Sequence, residues 1–310
     1  MRVAIIGRTE ILYSTVIEVL KNGYQVPLII TSKEAPEYTK TSDDFKNLAA
    51  EIGAKFLHAP KLDSIECIEI LKSCGEIDIA LSFNYSSIIE QKIIDMFKLG
   101  ILNAHGGDLP RYRGNACQAW AIINNEDKVG LCIHSMKGGE MDSGDILARE
   151  YLDINHNTKI GDIWKWKESL IPHLFINSMD KLNENPNYYL EKQSENPKDA
   201  LRCYPRTTED GRINWGKSNI QVLRLINASS KPYSGAFCFF ENQKMIILDA
   251  ELFEDNEIYL SEVGQIANIN NDGSIIVITG KGKLKVNEIE FGGKHSKPSN
   301  VIKSIRKRFN

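Results

Sequence analysis

The stretch "RVAIIGRTEILYSTVIEVLKNGYQVPLIITS", residues 2–32, has two short apolar runs on either side of a segment with helical spacing. The first run closes at Gly7, and the helical segment ends at Gly23. Short apolar runs bounded by turn residues indicate buried strands. Strand–helix–strand order indicates two parallel strands joined by a crossover helix. The stretch therefore predicts the first unit of an α/β sheet.

The same alternation continues to residue 84. "SDDFKNLAAEIG" predicts a helix with Ser42 as its N-cap and Gly53 as its stop. "AKFLHAP" and "IDIALSFN" predict two more strands, with the helix "SIECIEILKSC" between them. Together these segments predict a doubly wound, mostly parallel, Rossmann-like sheet, whose ligands bind beyond the carboxyl ends of its strands. Gly7 has no G-x-G-x-x-G around it, so we interpret it as a turn and not as a dinucleotide site.

The pattern changes after residue 145. "GDILAREYLDI" alternates like a strand, and "TKIGDIWKWKESLIPHLFINSMDKL" predicts a long amphipathic helix. Its predicted core stripe is Trp164, Trp166, Ile171, Leu174 and Phe175. Residues 186–203 are rich in Asn, Glu and Pro, which is typical of a linker, and short strands follow. We therefore expect an α/β domain over residues 1–185, a linker over 186–203 and a smaller, barrel-like β domain over 204–310.

Charge and cysteine content limit the classes of partner. The formal charge of −3 argues against nucleic acid as the main partner. Residues 281–310 nevertheless carry nine Lys/Arg and two Glu, a net +7, which leaves −10 elsewhere; we interpret this basic segment as a solvated face. No cysteine spacing suits a metal site, so none is expected. Without a signal peptide or a run of about 18 apolar residues, we expect a cytoplasmic protein with no membrane partner.

Three polar residues form a candidate catalytic set. Asn103 and His105 alternate at the end of the apolar run "ILNAH", so they share a face of the strand, and Asp142 follows in a Gly-bounded loop. An imidazole can take a proton, a carboxylate can stabilise its cation, and a carboxamide can donate to an oxyanion. Because no Ser or Cys forms a nucleophile elbow, the set predicts direct acyl transfer. From spacing alone, a turn-forming Asn103 and a core His105 remain an open alternative.

"LNAHGGDLPRYRG" followed by "MDSGDI" resembles the N10-formyltetrahydrofolate-dependent formyltransferases, which act on methionyl-tRNA, glycinamide ribonucleotide or nucleotide-linked amino sugars. The family pattern is N-x-H-x-S-L-L-P-x-Y/W-R-G, then L-D-x-G-D/Q. The resemblance covers residues 1–185 and continues more loosely through "CYPRTTEDGRINWGKS" and "KPYSGAF". It implies a formyltransferase fold and catalytic domain, N10-formyltetrahydrofolate as the formyl donor, and the catalytic residues Asn103, His105 and Asp142. "GGDLP" replaces the family's "GSLLP", a departure that concerns acceptor specificity more than chemistry.

The resemblance also implies binding residues and a homodimer. The expected donor-binding residues are Phe83, Tyr85, Leu102 and Asp142. The expected substrate-binding residues are Arg8, Arg111, Tyr112 and Arg113. Two alternatives stay open, since Phe83 can be a core residue and Arg113 can pack against the loop of Asp142. We expect an imidazole with a pKa near 6.5 to control the rate between about pH 6 and 8. The group that takes the amine proton, His105 or Asp142, is left open.

The acceptor is chosen on charge. A tRNA acceptor needs Lys and Arg around the site, and the tRNA-formylating relatives carry a basic loop after the second strand. Here residues 32–44, "SKEAPEYTKTSDD", have two Lys against four acids. We therefore favour a UDP- or dTDP-linked amino sugar as the acceptor. Methionyl-tRNA is the alternative, and a non-catalytic nucleotide-binding module on a formyltransferase fold is the third hypothesis.

Overall fold

A computed structural model describes all 310 residues. The chain divides into two compact units. Unit 1 comprises Met1–Cys117, Val129–Leu152 and Trp164–Cys203, and unit 2 comprises Gln118–Lys128, Asp153–Ile163 and Tyr204–Asn310. The segment 186–203, expected to be a linker, lies within unit 1. None of the helices has the length and apolar character that crossing a membrane requires.

The strands are β1 (Arg2–Gly7), β2 (Gln25–Thr31), β3 (Lys55–His58), β4 (Ile79–Phe83), β5 (Ile101–His105), β6 (Arg113–Gly114), β7 (Lys128–Ser135), β8 (Ile146–Asp153), β9 (Arg202–Cys203), β10 (Ala236–Phe240), β11 (Gln243–Phe253), β12 (Ile266–Ile269), β13 (Ile275–Ile278), β14 (Lys283–Phe291) and β15 (Lys294–Ser296). The α-helices are α1 (Glu10–Lys21), α2 (Ser42–Ile52), α3 (Ile65–Ser73), α4 (Gln91–Ile94), α5 (Cys117–Ile123), α6 (Ile160–Glu184) and α7 (Asn219–Ser229). Short 3₁₀ turns occupy Pro197–Asp199, Thr208–Gly211 and Pro298–Asn300.

Unit 1 contains the predicted α/β sheet, which is confirmed. Its seven strands have the order β3-β2-β1-β4-β5-β7-β8. The first five strands of this order run parallel to one another, whereas β7 runs antiparallel to β5. Apolar residues of α1, α2 and α6 pack on one face, and those of α3 and α4 pack on the other. Burial on both faces explains why β1 and β4 are continuous apolar runs.

Helix α2 begins with a capping box whose N-cap is Thr41, one residue before the predicted N-cap, Ser42. The Thr41 hydroxyl accepts a hydrogen bond from the Asp44 backbone N–H at 3.3 Å, and the Thr41 N–H donates to the Asp44 carboxylate at 2.8 Å. The prediction of Ser42 as the N-cap is therefore wrong, because the acid that completes the box lies three residues after Thr41. Gly53 ends the helix in the left-handed conformation, with φ 71°, as predicted.

Helix α6 has a polar residue inside its buried stripe. Ile171, Leu174 and Phe175 are buried as predicted, but Trp164 and Trp166 are only half-buried. Lys167 instead holds the buried position midway between Ile163 and Ile171, four residues from each. The stripe thus contains a lysine where a helix packed on a sheet normally has an apolar residue.

Unit 2 is built on an antiparallel sheet of order β10-β11-β14-β13-β12, with β15 beside β14. The last residues of the chain join its two edges. The Phe309 N–H donates to the Gly264 carbonyl at 2.9 Å next to β12, and Asn310 exchanges two backbone hydrogen bonds with Phe239 of β10. The end of the basic segment is therefore a backbone bridge that closes the sheet, as in a barrel.

We expect Phe309→Ala to lower the free energy of unfolding of unit 2 by about 3–5 kcal/mol, the usual cost of truncating a buried phenylalanine. The Phe309 ring is 2% exposed and stacks on Trp215 at 5.3 Å between centroids. Scanning calorimetry measures the loss. Arg308→Ala is the matched control, because that side chain is exposed and only its backbone bridges the edges. Equal stability of both variants would contradict the closure.

Candidate active site

Strand β5 ends at Asn103 and His105, and its antiparallel neighbour β7 brings a second imidazole to them. The register places Asn103 opposite His134 and His105 opposite Cys132. Directly opposed residues project from the same face of a sheet. Asn103 Nδ2 accordingly lies 3.1 Å from His134 Nε2. The predicted pair is thus a cluster that includes His134.

Asp142 reaches this cluster from the loop between β7 and β8, where its φ of 50° is one that Asp tolerates. Its Oδ2 accepts a hydrogen bond from the Gly114 N–H at 2.9 Å and lies 3.5 Å from His105 Nδ1. Its Oδ1 lies 3.5 Å from His134 Nε2. Burial alone raises the pKa of Asp142, but attraction to His105 and His134 in their protonated form, together with the Gly114 N–H, outweighs it and holds the pKa well below its ordinary value. Asp142 is therefore an ionised, nearly buried carboxylate.

The partners of His105 define its tautomer. Nε2 lies 2.7 Å from the Tyr112 carbonyl oxygen, which can only accept, so Nε2 carries the proton. In the neutral ring Nδ1 then has the lone pair, and it faces Asp142. Burial lowers the pKa of His105 below its ordinary value, although Asp142 and the Tyr112 carbonyl act in the opposite direction. The expectation of a pKa near 6.5 is corrected downward, and neutral His105 is a proton acceptor at pH 7.

His134 orients the carboxamide of Asn103. Its Nδ1 lies 2.8 Å from the Ser135 carbonyl oxygen and therefore carries the proton, which leaves Nε2 to accept from Asn103 Nδ2. The second N–H of the carboxamide remains available as a donor. The sequence analysis missed His134. The only signal was a polar residue near the end of the apolar run "VGLCIHSM".

Comparison with known proteins assigns the chain to a family. Residues 1–171 match the formyl transferase family, and residues 206–306 match the formyl transferase C-terminal domain. The first match alone covers more than half of the chain. This protein belongs to the formyl transferase family. The chain is accordingly a formyltransferase, an enzyme that transfers formyl groups, and its two matched ranges contain the α/β sheet and the antiparallel sheet.

Individual relatives differ in their acceptors. The methionyl-tRNA formyltransferase of Desulfotalea psychrophila is 26% identical over 298 residues, which cover 95% of this chain and 89% of that protein. The N-formyltransferase from Helicobacter canadensis, in complex with folinic acid and dTDP-3-aminofucose, superposes with a TM-score of 0.66 at 20% identity, covering 92% of this chain and 98% of its own. HypX from Aquifex aeolicus superposes with a TM-score of 0.63 at 14% identity; 98% of this chain spans only 49% of HypX. At these identities the structural likenesses show the fold alone.

The formyltransferase departs from the family motif in a loop that is packed within unit 1. A Cβ at Gly107 would lie 2.5 Å from His105 Nε2 and 2.2 Å from the Tyr112 carbonyl oxygen, so a side chain there would displace the catalytic loop. The Asp108 carboxylate accepts from Arg149 at 2.5 Å and from the Tyr151 hydroxyl at 2.8 Å. The sequence "GGDLP" thus has a packing role in this chain.

Two of the expected donor-binding side chains are core residues. Phe83 is 2% exposed and Leu102 is 1% exposed, and both belong to the core under α1 and α6. The Tyr85 hydroxyl donates to the Ala59 carbonyl at 2.9 Å, and burial raises the pKa of Tyr85 well above its ordinary value. For Phe83, the structure agrees with the alternative that it is a core residue.

The expected substrate-binding residues make contacts of several kinds. Arg8 donates to the Asn84 carbonyl at 2.8 Å, and its guanidinium lies over the ring of Tyr38. Arg113 donates to the Gln193 side chain at 2.9 Å. In turn, Gln193 donates to the backbone carbonyls of Asp142 and Gly144. Arg113 therefore packs against the loop of Asp142, which was the alternative to substrate binding.

The motif loop contributes through its backbone as well. Tyr112 is 4% exposed, with the guanidinium of Arg111 5.4 Å from the centre of its ring, and it is the Tyr112 carbonyl that contacts His105. Cys117 Sγ lies 3.7 Å from His105 Nε2. Neither Cys117 nor the backbone groups of Tyr112 and Gly114 carry a recognisable signal in the sequence.

We expect His134→Leu to lower kcat for formyl transfer about 10-fold or more with little change in KM, because Asn103 loses the acceptor that orients it. Removal of an oxyanion donor itself costs about 10²–10³ in kcat, which sets the upper limit. The double variant with Asn103→Ala should be no slower than Asn103→Ala alone, since both changes act through one carboxamide. His173→Leu, at an exposed histidine, is the control. Additive losses would show that His134 acts independently of Asn103.

Proposed function

We propose that the enzyme transfers the formyl group of N10-formyltetrahydrofolate to the amine of a UDP- or dTDP-linked amino sugar. The observation that carries the chemistry is the cluster of Asn103, His105 and Asp142, in which one carboxamide N–H and one imidazole lone pair are available beside an ionised carboxylate. The charge distribution around unit 1 and within unit 2 supports the choice of acceptor.

The three side chains of the cluster suit the binding of a formyl donor. Formyl transfer requires a hydrogen-bond donor for the oxygen of the formyl group, a base that takes the amine proton, and a negative charge that stabilises this base once it is protonated. The side chains of Asn103, His105 and Asp142 provide these three functions in that order. When bound, N10-formyltetrahydrofolate supplies a formyl group on a nitrogen that can depart once it is protonated.

The chain's own residues then act as follows. Asn103, oriented by His134, donates its free N–H to the formyl oxygen as negative charge develops there. His105 takes the proton of the attacking amine at Nδ1, because Nε2 is already protonated and bound to the Tyr112 carbonyl. Asp142 stabilises the resulting imidazolium across 3.5 Å, and His105 Nδ1 then gives up the same proton to the departing nitrogen, which restores the neutral ring. This assigns the amine proton to His105 and not to Asp142, whose depressed pKa makes it a weak base.

The segment 32–44 supports a small acceptor. It contains two lysines and four acidic residues. Lys40 forms an ion pair with Asp44 at 3.5 Å, and its ammonium also lies over the ring of Tyr13. Asp44 is itself engaged in the capping box of α2. A segment with this charge repels the dense line of phosphates in a tRNA acceptor stem, whereas a nucleotide sugar brings only two phosphates.

The basic segment 281–310 is partly neutralised within unit 2. Four of its nine basic side chains lie in ion pairs with acids of the same unit, namely Lys283 with Asp255, Lys285 with Glu251 and Asp272, Lys297 with Glu288, and Lys307 with Glu241. Such pairing reduces the positive charge that is left for a nucleic-acid backbone. The segment therefore favours tRNA less than its net charge of +7 suggests.

Methionyl-tRNA is the second candidate acceptor. The observation that favours it is the 26% identity to a methionyl-tRNA formyltransferase over 95% of this chain, including the C-terminal β unit. The third hypothesis, a nucleotide-binding module without activity, is not retained because the chain belongs to a family of enzymes.

The catalytic roles are tested by substitution. We expect His105→Asn and Asp142→Asn to lower kcat by about 10² or more, the range for lost acid–base function. Asn103→Ala should cost about 10²–10³, as loss of one oxyanion donor does. His173→Asn is the control on an exposed ring. Near-wild-type turnover by the folded His105→Asn variant would contradict the proposed mechanism.

The acceptor is tested by competition between the two candidates. Given N10-formyltetrahydrofolate with a labelled formyl group, the enzyme should label a UDP- or dTDP-linked amino hexose and leave charged initiator tRNA unlabelled, for the electrostatic reasons above. Increasing salt should change the sugar rate only modestly, because few phosphates are bound. The proposal fails if methionyl-tRNA is formylated at low enzyme concentration while a broad panel of amino sugars stays unmodified.

A further inference from the structure

The buried lysine of α6 has no direct ion-pair partner. Lys167 is 4% exposed, and its ammonium makes no ion pair and no hydrogen bond within the protein. Lysine is almost never buried to this degree unless it is paired. The nearby carboxylate of Glu10 is engaged elsewhere, since it accepts from the Trp164 indole at 2.7 Å and from the Thr39 N–H at 3.2 Å. Glu10 therefore acts on Lys167 only at a distance, and no carboxylate of the chain is in contact with its ammonium.

The position of Lys167 links it to the active site. Its Nζ lies 4.2 Å from the centre of the Trp164 ring and 5.7 Å from that of Phe83, the last residue of β4. Strand β4 is the neighbour of β5, which ends at Asn103 and His105. The charge of Lys167 also acts on His105 and helps to lower its pKa. Lys167 therefore lies within electrostatic range of the reacting centre, at the carboxyl end of the sheet.

We propose that Lys167 binds an anionic oxygen of the acceptor, from either a carboxylate or a phosphate, beside the reacting amine. The rings of Trp164 and Phe83 attract the ammonium through cation–π contacts, but they carry no negative charge that could neutralise it. Burial lowers the pKa of Lys167 to about 8 and outweighs the opposite effect of the Glu10 carboxylate, while the neighbouring Cys117 thiol is neutral because its own pKa is raised. At pH 7 the side chain is thus still mostly an ammonium, and a bound anion would stabilise that form.

The acceptor is a better occupant than the formyl donor. Lys167 connects through Trp164 to Glu10, the first residue of α1 after β1. With Phe83 and Leu102 in the core, the expected donor contacts that remain are Tyr85, which follows β4, and Asp142, in the loop after β7. Strand β7 lies on the other side of β4 from β1. This part of the argument rests on the proposed function, because it takes the second substrate to be an amine that enters opposite the folate.

A turnover-independent experiment tests the anion site. In protein labelled with [ε-¹³C]lysine, one resonance should titrate near pH 8 and be absent in Lys167→Met. Saturating acetate, inorganic phosphate or dTDP should move the pKa of that resonance upward, toward the ordinary 10.5, because an adjacent anion favours the charged form. A response to acetate alone identifies a carboxylate subsite, and a response to phosphate and dTDP identifies a phosphate subsite. No response to any probe overturns the proposal.

Kinetics test whether the subsite serves the acceptor. Lys167→Met should raise the acceptor KM about 10- to 100-fold, the effect of losing one charge-assisted hydrogen bond, with a smaller change in kcat. Lys167→Arg should recover much of the loss. Lys165→Met, at an exposed lysine of the same helix, should behave like wild type. A purely structural lysine would instead change stability and leave KM alone, which would also overturn the proposal.

The acceptor panel separates this inference from the function on which it rests. Matched UDP-linked amino hexose and amino hexuronic acid differ by one carboxylate. A preference for the acid that is lost in Lys167→Met supports carboxylate recognition, and an equal KM increase for both supports phosphate recognition. If no nucleotide sugar is formylated, the proposed function fails, but the lysine titration still decides whether Lys167 binds anions.

Discussion

The antiparallel pairing of β5 with β7 is the constraint on which the active site depends. In this register Asn103 faces His134, and both project from the face that carries His105. A slip of β7 by one residue would turn His134 to the opposite face of the sheet, away from Asn103 and His105. The same pairing sets where β7 ends, and therefore where the loop that carries Asp142 begins. The relative positions of Asn103, His105 and His134 are thus the result of one strand register.

Electrostatics then divide the roles within this cluster. Asp142 stays ionised although it is nearly buried, because the Gly114 N–H and two imidazoles surround it. An ionised Asp142 is what makes a proton on His105 Nδ1 favourable, whereas burial resists that charge in the resting enzyme. In the proposed mechanism His105 is consequently a base that is neutral before the amine proton is transferred and stabilised by Asp142 while it holds that proton. Lys167 adds to the resistance, so anion binding at Lys167 and proton transfer to His105 are coupled by charge.

The sequence predicts the parts of this structure that depend on local pattern. Continuous apolar runs and regular helices identify the sheet of unit 1, and the end of a run identifies Asn103 and His105 as strand-end residues. The pattern cannot show that β7 lies antiparallel to β5, so His134 escapes notice. It also cannot show which arginine has a protein partner: Arg113 is bound to Gln193, 80 residues away in the chain. Lys167 was detectable, because it lies four residues from both Ile163 and Ile171 on the buried stripe.

Acceptor choice is a different kind of problem from fold or chemistry. Most of this chain is similar in sequence to a methionyl-tRNA formyltransferase and in fold to an N-formyltransferase in complex with dTDP-3-aminofucose, so the fold cannot decide between the two acceptors. In the proposed mechanism the cluster of Asn103, His105 and Asp142 acts on the formyl group and the attacking amine, which both candidate acceptors carry. Discrimination must therefore come from groups that touch the rest of the acceptor. In this chain the side chains of the motif loop are largely engaged within unit 1, as Asp108 is by Arg149 and Arg113 is by Gln193. Lys167 is a buried cation without an ion-pair partner whose charge acts on His105, and for that reason it is a place where acceptor specificity can be sought.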